Sequence, residues 1–550
     1  MGIRHFLESS YYGLESTPFN DKRSDQYWAL EYLAFVDPYN LSMTEDTKIE
    51  MMERYVCILY SLVVVGIEGL SSDEAKMIYL LPHCQWTIHG AGFFCKNGRV
   101  SRIFFKQFFF RKDEGRIPTE IVWLSELEEL VVQNNNIGGT LPPQLGHMPR
   151  LQKLDFEGNS QLGGLIPDTF FNSSSLKVLH LARCNFNGSV PFNIGSSIVM
   201  HTIQLGYNSL TGSIPTNLGQ SIELRVVSLD NNELEGPIPE FLPSGNLVEF
   251  DVSRNKLTGT LPISITSQPR LKSLLVEHNR LTGTIPSFGV DSSVSQIDLR
   301  YNSFVGGLDD VLENLLPSKL ELFATYGNWL NGTVPTRLGL FTKLEFVWFP
   351  DTDLTGSLPS TLGRLTNTKE FSFANSRISG TIPSELGLLT NIRGSLQLSS
   401  CDLVGTIPTE LGKLTSSSGP FNFSANFLTG TMPSELGRLT ELNILDVTRN
   451  ELTGTFPQEM TNMTDLYNLR VGLNKFSGTL DAVSKVSNVE AYGNKLVDVG
   501  RLCGSPPHLL AMNLCGEMKI DCSCCEYCCD NSSIVGSWCN LEEVDTNVFN

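Results

Sequence analysis

Apolar and polar residues along most of this chain follow one recurring order. From about Leu127 to Leu496 the string LxxLxLxxN, followed by xLxGxIP, returns every 23 to 26 residues, with a short last copy. Leu224-Val227-Leu229-Asn232-Leu234-Gly236-Ile238-Pro239 and Leu442-Leu445-Val447-Asn450-Leu452-Gly454-Phe456-Pro457 are two clean copies. A period of this length marks a stacked array of similar units rather than one globular core. Within each unit the LxL pair has the period-2 spacing of a short strand, so its apolar side chains share one face and their neighbours the other. The residue in the Asn slot turns inward at the strand's end, where an amide satisfies backbone groups that the bend would bury. Of about sixteen slots Asn fills twelve, and Cys184, Thr352, Ser376 and Cys401 fill the rest. Each of these is small and donates one hydrogen bond. Gly then permits a tight bend, and Pro fixes the outer backbone without an N–H to satisfy.

Ahead of the array the spacing changes. Tyr27, Leu30 and Leu33, then Met52, Tyr55, Cys57, Leu59 and Leu62, recur at helical intervals between about Ser24 and Pro82. These predict helices that seal the first unit, because a stacked array otherwise exposes its core at both ends. The chain therefore divides into a disordered N-terminal tail (1–23), a helical N-terminal cap (24–99), the repeat array (100–498) and a Cys-rich C-terminal cap (499–550). The expected fold class is an α/β solenoid with a parallel β-sheet on its concave face.

The phrase xLxGxIPxxLGxLxxL, as in SGTIPSELGLLTNI and TGTMPSELGRLTEL, resembles the plant-type leucine-rich repeats of receptor-like kinases, receptor-like proteins and polygalacturonase-inhibiting proteins. The resemblance covers about two thirds of the chain and implies a leucine-rich-repeat superhelix. The front end, DQYWALEYLAFVDP, ERYVCILYSLV and then CQW…FFC, resembles the N-terminal cap of leucine-rich-repeat proteins from diatoms and related algae. That resemblance implies a Cys84–Cys95 disulfide, although these cysteines stand further apart than in the plant cap pattern CxWxGVxC. No HRD, DFG or glycine-rich phosphate loop occurs, so the kinase part of the receptors has no counterpart here.

Composition narrows the partners. A formal net charge of −19 argues against nucleic acid or an anionic membrane surface, both of which need clustered Lys and Arg. The start, MGIRHFLESSYYGLES, lacks the pattern of a secretory signal, and Val56 to Leu70 is too short and too broken to span a bilayer. Eight cysteines crowd the C-terminal end: Cys503, Cys515, Cys522, Cys524, Cys525, Cys528, Cys529 and Cys539. With Cys84 and Cys95 they suffice for five disulfides, with Cys57 left over in a helix core. A thiolate metal cluster is the rival reading, disfavoured because the tail has no ordered CxxC…CxxC spacing. Disulfides, and the N-x-S/T sequons at Asn40, Asn172, Asn187, Asn331, Asn422, Asn462 and Asn531, favour an extracellular or cell-surface location.

Function is then expected on the concave face, whose residues stand second, fourth and sixth before each Asn slot. Most are bland and polar. One stretch gathers large apolar groups where exposure is expected, including Tyr301, Tyr326, Phe346 and Trp348, beside Asp251, Glu277, Asp298, Arg300 and Asp351. An aromatic patch rimmed with charge has the make-up of a binding hot spot. These nine residues are the candidate ligand-binding set, for a peptide, protein or glycan, with a signalling co-receptor as a further partner. No cofactor and no metal are expected. The family resemblance leaves two alternatives, an inhibitor of a cell-wall hydrolase and an ice-binding or adhesive surface. The second would need a flat array of identical small residues, and only the Thr column before the IP motif (Thr260, Thr284, Thr333, Thr381, Thr406, Thr431, Thr455) approaches one. Catalysis is the weakest reading: His180 and Asp155 could form a general-base pair, but no nucleophile is arranged with them.

Overall fold

The structure, a computed structural model, describes residues 52–58, 84, 87–88, 91–106, 116–243, 245–498 and 508–509. The chain forms two compact units, Met1–Asn331 and Gly332–Asn550. Each is built on a ladder of short parallel strands, one per repeat, which is the α/β solenoid expected from the period.

In the first unit the ladder runs through Arg99–Lys106, Glu129–Gln133, Lys153–Asp155, Val178–His180, Thr202–Gln204, Val226–Ser228, Glu249–Asp251, Ser273–Leu275, Gln296–Asp298 and Leu322–Ala324. The register keeps the central apolar residues in line, so that Val227, Phe250, Leu274 and Ile297 stack directly and are fully buried. Stacking at the ~4.8 Å strand spacing makes one continuous core from faces that no repeat could bury alone. In the second unit the corresponding strands are Phe346–Trp348, Glu370–Ser372, Leu396–Gln397, Phe421–Asn422, Ile444–Asp446, Asn468–Arg470 and Asn488–Glu490. A second set of parallel strands, such as Ser209–Ser213 paired with Glu233–Pro237, follows the Asn slot in most repeats.

Helical content in the repeats is mostly single 3₁₀ turns placed directly after the prolines, as in Thr216–Gln220 after Pro215 and Ser434–Arg438 after Pro433. The proline's fixed φ sets up the turn and costs no hydrogen bond. The glycine of the ELG phrase is required by close approach: a Cβ on Gly437 would lie 2.3 Å from the carbonyl oxygen of Glu459 in the next repeat.

The Asn slots act as a ladder. In Asn255, Nδ2 donates to the carbonyls of Leu229 (3.0 Å) and Val252 (3.1 Å), while Oδ1 accepts the N–H of Leu234 from the preceding repeat (2.9 Å). Thr352, Ser376 and Cys401 each donate to a strand-end carbonyl instead.

Of the helical cap expected over 24–99, residues 24–51, 59–83, 85–86 and 89–90 lie outside the described residues. Residues 52–58 are helical, but Ala91–Lys96 and Arg99–Lys106 form an antiparallel hairpin whose second strand opens the parallel ladder. Phe93, Val100, Ile103 and Phe105 are buried along it, at the period-2 alternation of a strand. Glu53 ties helix to hairpin, accepting from Arg99 Nε (2.5 Å) and from the Val100 N–H (3.1 Å). Cys84 and Cys95 are disulfide-bonded, and Cys57 is a free, buried thiol. The tail 1–23, the C-terminal cysteines, Asn40 and Asn531 lie outside the described residues.

Candidate functional site

Two rows of side chains define the strand face at its C-terminal edge. The first projects from the strands themselves. The second comes from the residue just before each Asn slot, which is left-handed throughout: thirteen non-glycine residues there have φ between 50 and 57°, and Gly158, Gly327 and Gly493 take the same hand. This inversion turns the Asn inward and aims the preceding N–H at the next repeat, as Tyr301 N–H donates to the Tyr326 carbonyl (3.0 Å). It costs about 1 kcal/mol or more for each residue with a side chain. The sequence pattern picked out Tyr301 and Asp351 but not the row they belong to, because Tyr, Arg, His and Leu occupy positions where intrinsic preference would put Gly or Asn.

In the first unit this corner carries an aromatic ledge. His278 stacks on Tyr301 with ring centroids 4.3 Å apart, and Tyr301 meets Tyr326 edge to face at 5.1 Å. Tyr301 is 47% exposed. Beneath the ledge Arg300 is fully engaged: Nε donates to both Asp298 oxygens (2.8 and 2.9 Å), and a terminal nitrogen donates to the Tyr326 hydroxyl (3.0 Å). Asp298, expected to face solvent, is only 3% exposed, because Arg300 folds back over it. It is a structural anion and not an open ligand contact.

The other carboxylates differ. Among the described residues no Lys or Arg makes an ion pair with Glu249, Asp251 or Glu277, and Glu277 Oε2 is buried without a hydrogen-bond partner. Burial, with Asp230 as the nearest negative charge, pushes the Asp251 carboxyl up to about 6. Burial and the neighbouring Asp298 push Glu277 up to about 7. Burial also raises Glu249. A cation reaching this stretch would relieve all three.

In the second unit Phe346 and Trp348 share one strand and one face, both half-buried. Asp351 is an exposed corner residue that accepts from Asn375 Nδ2 (2.8 Å). Of the nine candidates, Asp251, Glu277, Asp298, Arg300, Tyr301 and Tyr326 belong to the first unit and Phe346, Trp348 and Asp351 to the second. The structure joins Asp298, Arg300, Tyr301 and Tyr326 directly. It sets Asp251 apart from Asp298 by one strand, on which Leu275 holds the intervening position.

Comparison with known proteins agrees with this architecture. The leucine-rich-repeat family profile matches residues 125–186, and a second leucine-rich-repeat profile matches residues 246–267. The ectodomain of the Arabidopsis receptor kinase HAESA, solved with an extended IDA peptide hormone, aligns at 26% identity with a TM-score of 0.64, covering 71% of this chain and 65% of that one. The chain carries leucine-rich repeats and shares the fold of a plant leucine-rich-repeat ectodomain.

Other leucine-rich-repeat structures share the fold. The plant peptide hormone receptor RGFR1 in complex with RGF2 aligns at 24% identity and a TM-score of 0.58, covering 70% of this chain and 69% of that one. The ectodomain of the Arabidopsis receptor kinase GASSHO1/SCHENGEN3, with CASPARIAN STRIP INTEGRITY FACTOR 2, aligns at 23% and 0.54, covering 81% and 62%. The chain thus spans about two thirds of the length of these solved chains. No curated protein matches it.

The remaining candidates fall elsewhere on the leucine-rich repeats. Asn187 and Asn331 are exposed at equivalent positions of the second strand set, and Asn172 and Asn462 are exposed beside the 3₁₀ turns. Asn422 is on the strand face, its Oδ1 accepting from the Ser424 hydroxyl (2.7 Å) and N–H (3.0 Å). The His180–Asp155 pair is real: Nδ1 lies 3.1 Å from an Asp155 oxygen that also binds Gln133 and Lys153. Burial pushes the Asp155 carboxyl up, but the hydrogen bonds from His180, Gln133 and Lys153 outweigh it and hold the group below the usual range. Asp155 is wholly buried, which suits a structural anion. Among the described residues no cluster of His, Cys, Asp or Glu could hold a metal ion, and no helix is long and apolar enough to cross a membrane.

Proposed function

We propose that this protein is a non-enzymatic recognition scaffold that binds a peptide or protein ligand bearing a basic group on the strand face of its first unit. Glu249, Asp251 and Glu277 take the cation, and the Tyr301–Tyr326 ledge packs against the adjoining part of the ligand. The observation that carries this reading is the contrast on neighbouring strands: Asp298 has its own arginine, while Asp251 and Glu277 have none. Aromatic groups beside desolvated charge suit a cationic partner, through both Coulomb attraction and ring faces. HAESA was solved with a peptide hormone, which supports a peptide as the ligand class. The Cys84–Cys95 disulfide supports an oxidising, extracellular setting. In that setting the sequon asparagines carry glycans, the C-terminal cysteines form disulfides, and Phe346, Trp348 and Asp351 offer the surface for a co-receptor or a longer ligand.

The test is calorimetric titration of the full chain with a short oligo-arginine peptide, an oligo-glutamate peptide and a neutral cell-wall oligosaccharide. Binding of oligo-arginine alone, weakened at least tenfold in Asp251→Asn/Glu277→Gln and in Tyr301→Ala, is the expected result. Binding of the oligosaccharide alone would transfer the site to a glycan. Binding of oligo-arginine undiminished by these substitutions would place the ligand elsewhere.

A further inference from the structure

The second unit contains both ways of filling the Asn slot, and the two differ in what they join. In Asn426, Nδ2 donates to Leu398 O (2.7 Å) and Phe423 O (3.1 Å), and Oδ1 accepts the N–H of Leu403 (3.0 Å). Asn450 and Asn474 repeat this arrangement, accepting from Leu428 and Leu452. Each amide therefore reaches back to the preceding repeat twice, once as donor and once as acceptor. Thr352 Oγ1 donates to Phe349 O (3.1 Å) of its own repeat. Ser376 Oγ donates to Phe373 O (2.7 Å) of its own repeat and lies 3.4 Å from Cys401 Sγ of the next, a single weak contact across that junction. Cys401 Sγ reaches back to Phe373 O (3.2 Å), through a weak thiol donor. None of these three side chains has a carbonyl with which to accept a neighbour's N–H.

Beside these weaker polar links the packing is aromatic: Phe349 and Phe373 stack across a junction at 5.2 Å, and Phe371 lies 5.2 Å from Phe373 within one repeat. Such contacts bury surface well but do not fix register as directional bonds do. Local opening is governed by how many bonds must break together, and each hydrogen bond is worth about 1 kcal/mol net.

We propose that residues 346–401 are a built-in soft segment of the second unit, opening ahead of residues 421–474. This puts compliance directly beneath Phe346 and Trp348, so these side chains adjust to a partner more readily than residues on the amide-bonded repeats.

Hydrogen exchange of the full chain, read by mass spectrometry, tests this. Peptides covering the amides of Leu354 and Ile378, which would look to Ser376 and Cys401 for an acceptor, should exchange roughly tenfold faster than those covering Leu403, Leu428 and Leu452. The variant Thr352→Asn/Ser376→Asn/Cys401→Asn should remove most of that difference, and Asn426→Ser/Asn450→Ser should carry the fast exchange into Leu403 and Leu428 while leaving Leu452 slow. Equal exchange across the wild-type segments overturns the proposal, as does a difference that persists in a folded Asn variant. If the Asn variant fails to fold, the Ser variant decides: unchanged exchange at Leu403 and Leu428 overturns it.

Discussion

Asp446, Arg470 and Glu490 stand in register on three successive strands of the second unit, and Arg470 Nε donates to Glu490 (3.1 Å) while another of its nitrogens lies 3.8 Å from Asp446. In the first unit the same strand position is held by Asp251, Leu275 and Asp298. The frame is identical and the central residue differs. Where it is arginine, one side chain supplies a counter-charge to both flanking carboxylates. Where it is leucine, Asp298 has to recruit Arg300 from its own strand end, and Asp251 is left without a counter-charge. The fold dictates where these side chains stand but not their charge, so recognition is set one position at a time on a face the core leaves free.

The contrast can be broken at its strongest point first. Arg300→Ala strips the partner from a buried carboxylate and should destabilise the first unit by about 3 kcal/mol, measured by denaturant unfolding. Leu275→Arg would copy the second unit's arrangement into the first. It should reduce oligo-arginine affinity at least tenfold, and unchanged affinity would show that the carboxylates are not the cation's seat. Arg470→Leu makes the reverse change and should cost about 1 kcal/mol, since the pair is partly exposed.

The smallest effect is on pH dependence. Asp251 and Glu277 have folded values of about 6 and about 7, above their ordinary 3.8 and 4.5. The folded state then binds more protons than the unfolded one across that window, so stability should rise as pH falls from about 7 toward 5. Glu277→Gln should flatten the upper part of that rise. A melting temperature that falls over the same interval in the wild type would contradict the assignment.

Much of the fold was legible because its determinants are local and repeated. The LxL pair, the inward Asn and the proline each impose their geometry within a few residues, and sixteen copies make the period unmistakable. The front hairpin was hidden because Phe93, Phe94, Ile103, Phe104 and Phe105 form a run with aromatic residues on both faces, which spacing alone does not assign. Within the candidate site the pattern located Tyr301, Tyr326 and the carboxylates but took Asp298 and Arg300 for open contacts. Their capture depends on a side chain folding back across its own strand end, a rotamer that sequence spacing does not contain. His278 was missed for a related reason: its place in the aromatic ledge comes from the left-handed corner, which no residue preference announces.

The bond from each slot amide to the repeat before it has a consequence for how such a chain can change length. Asn255 serves Leu234, Asn279 serves Leu257, and Asn302 serves Leu281, so every link spans a junction and none closes within one repeat. Excising one whole period rejoins a donor to an equivalent acceptor and leaves the join chemically like any other. Excising half a period strands an amide and turns an inward residue outward. Insertions and losses are therefore tolerated in whole periods, and a protein of this kind lengthens its recognition surface in steps of about two dozen residues, each bringing one new strand position to be chosen freely.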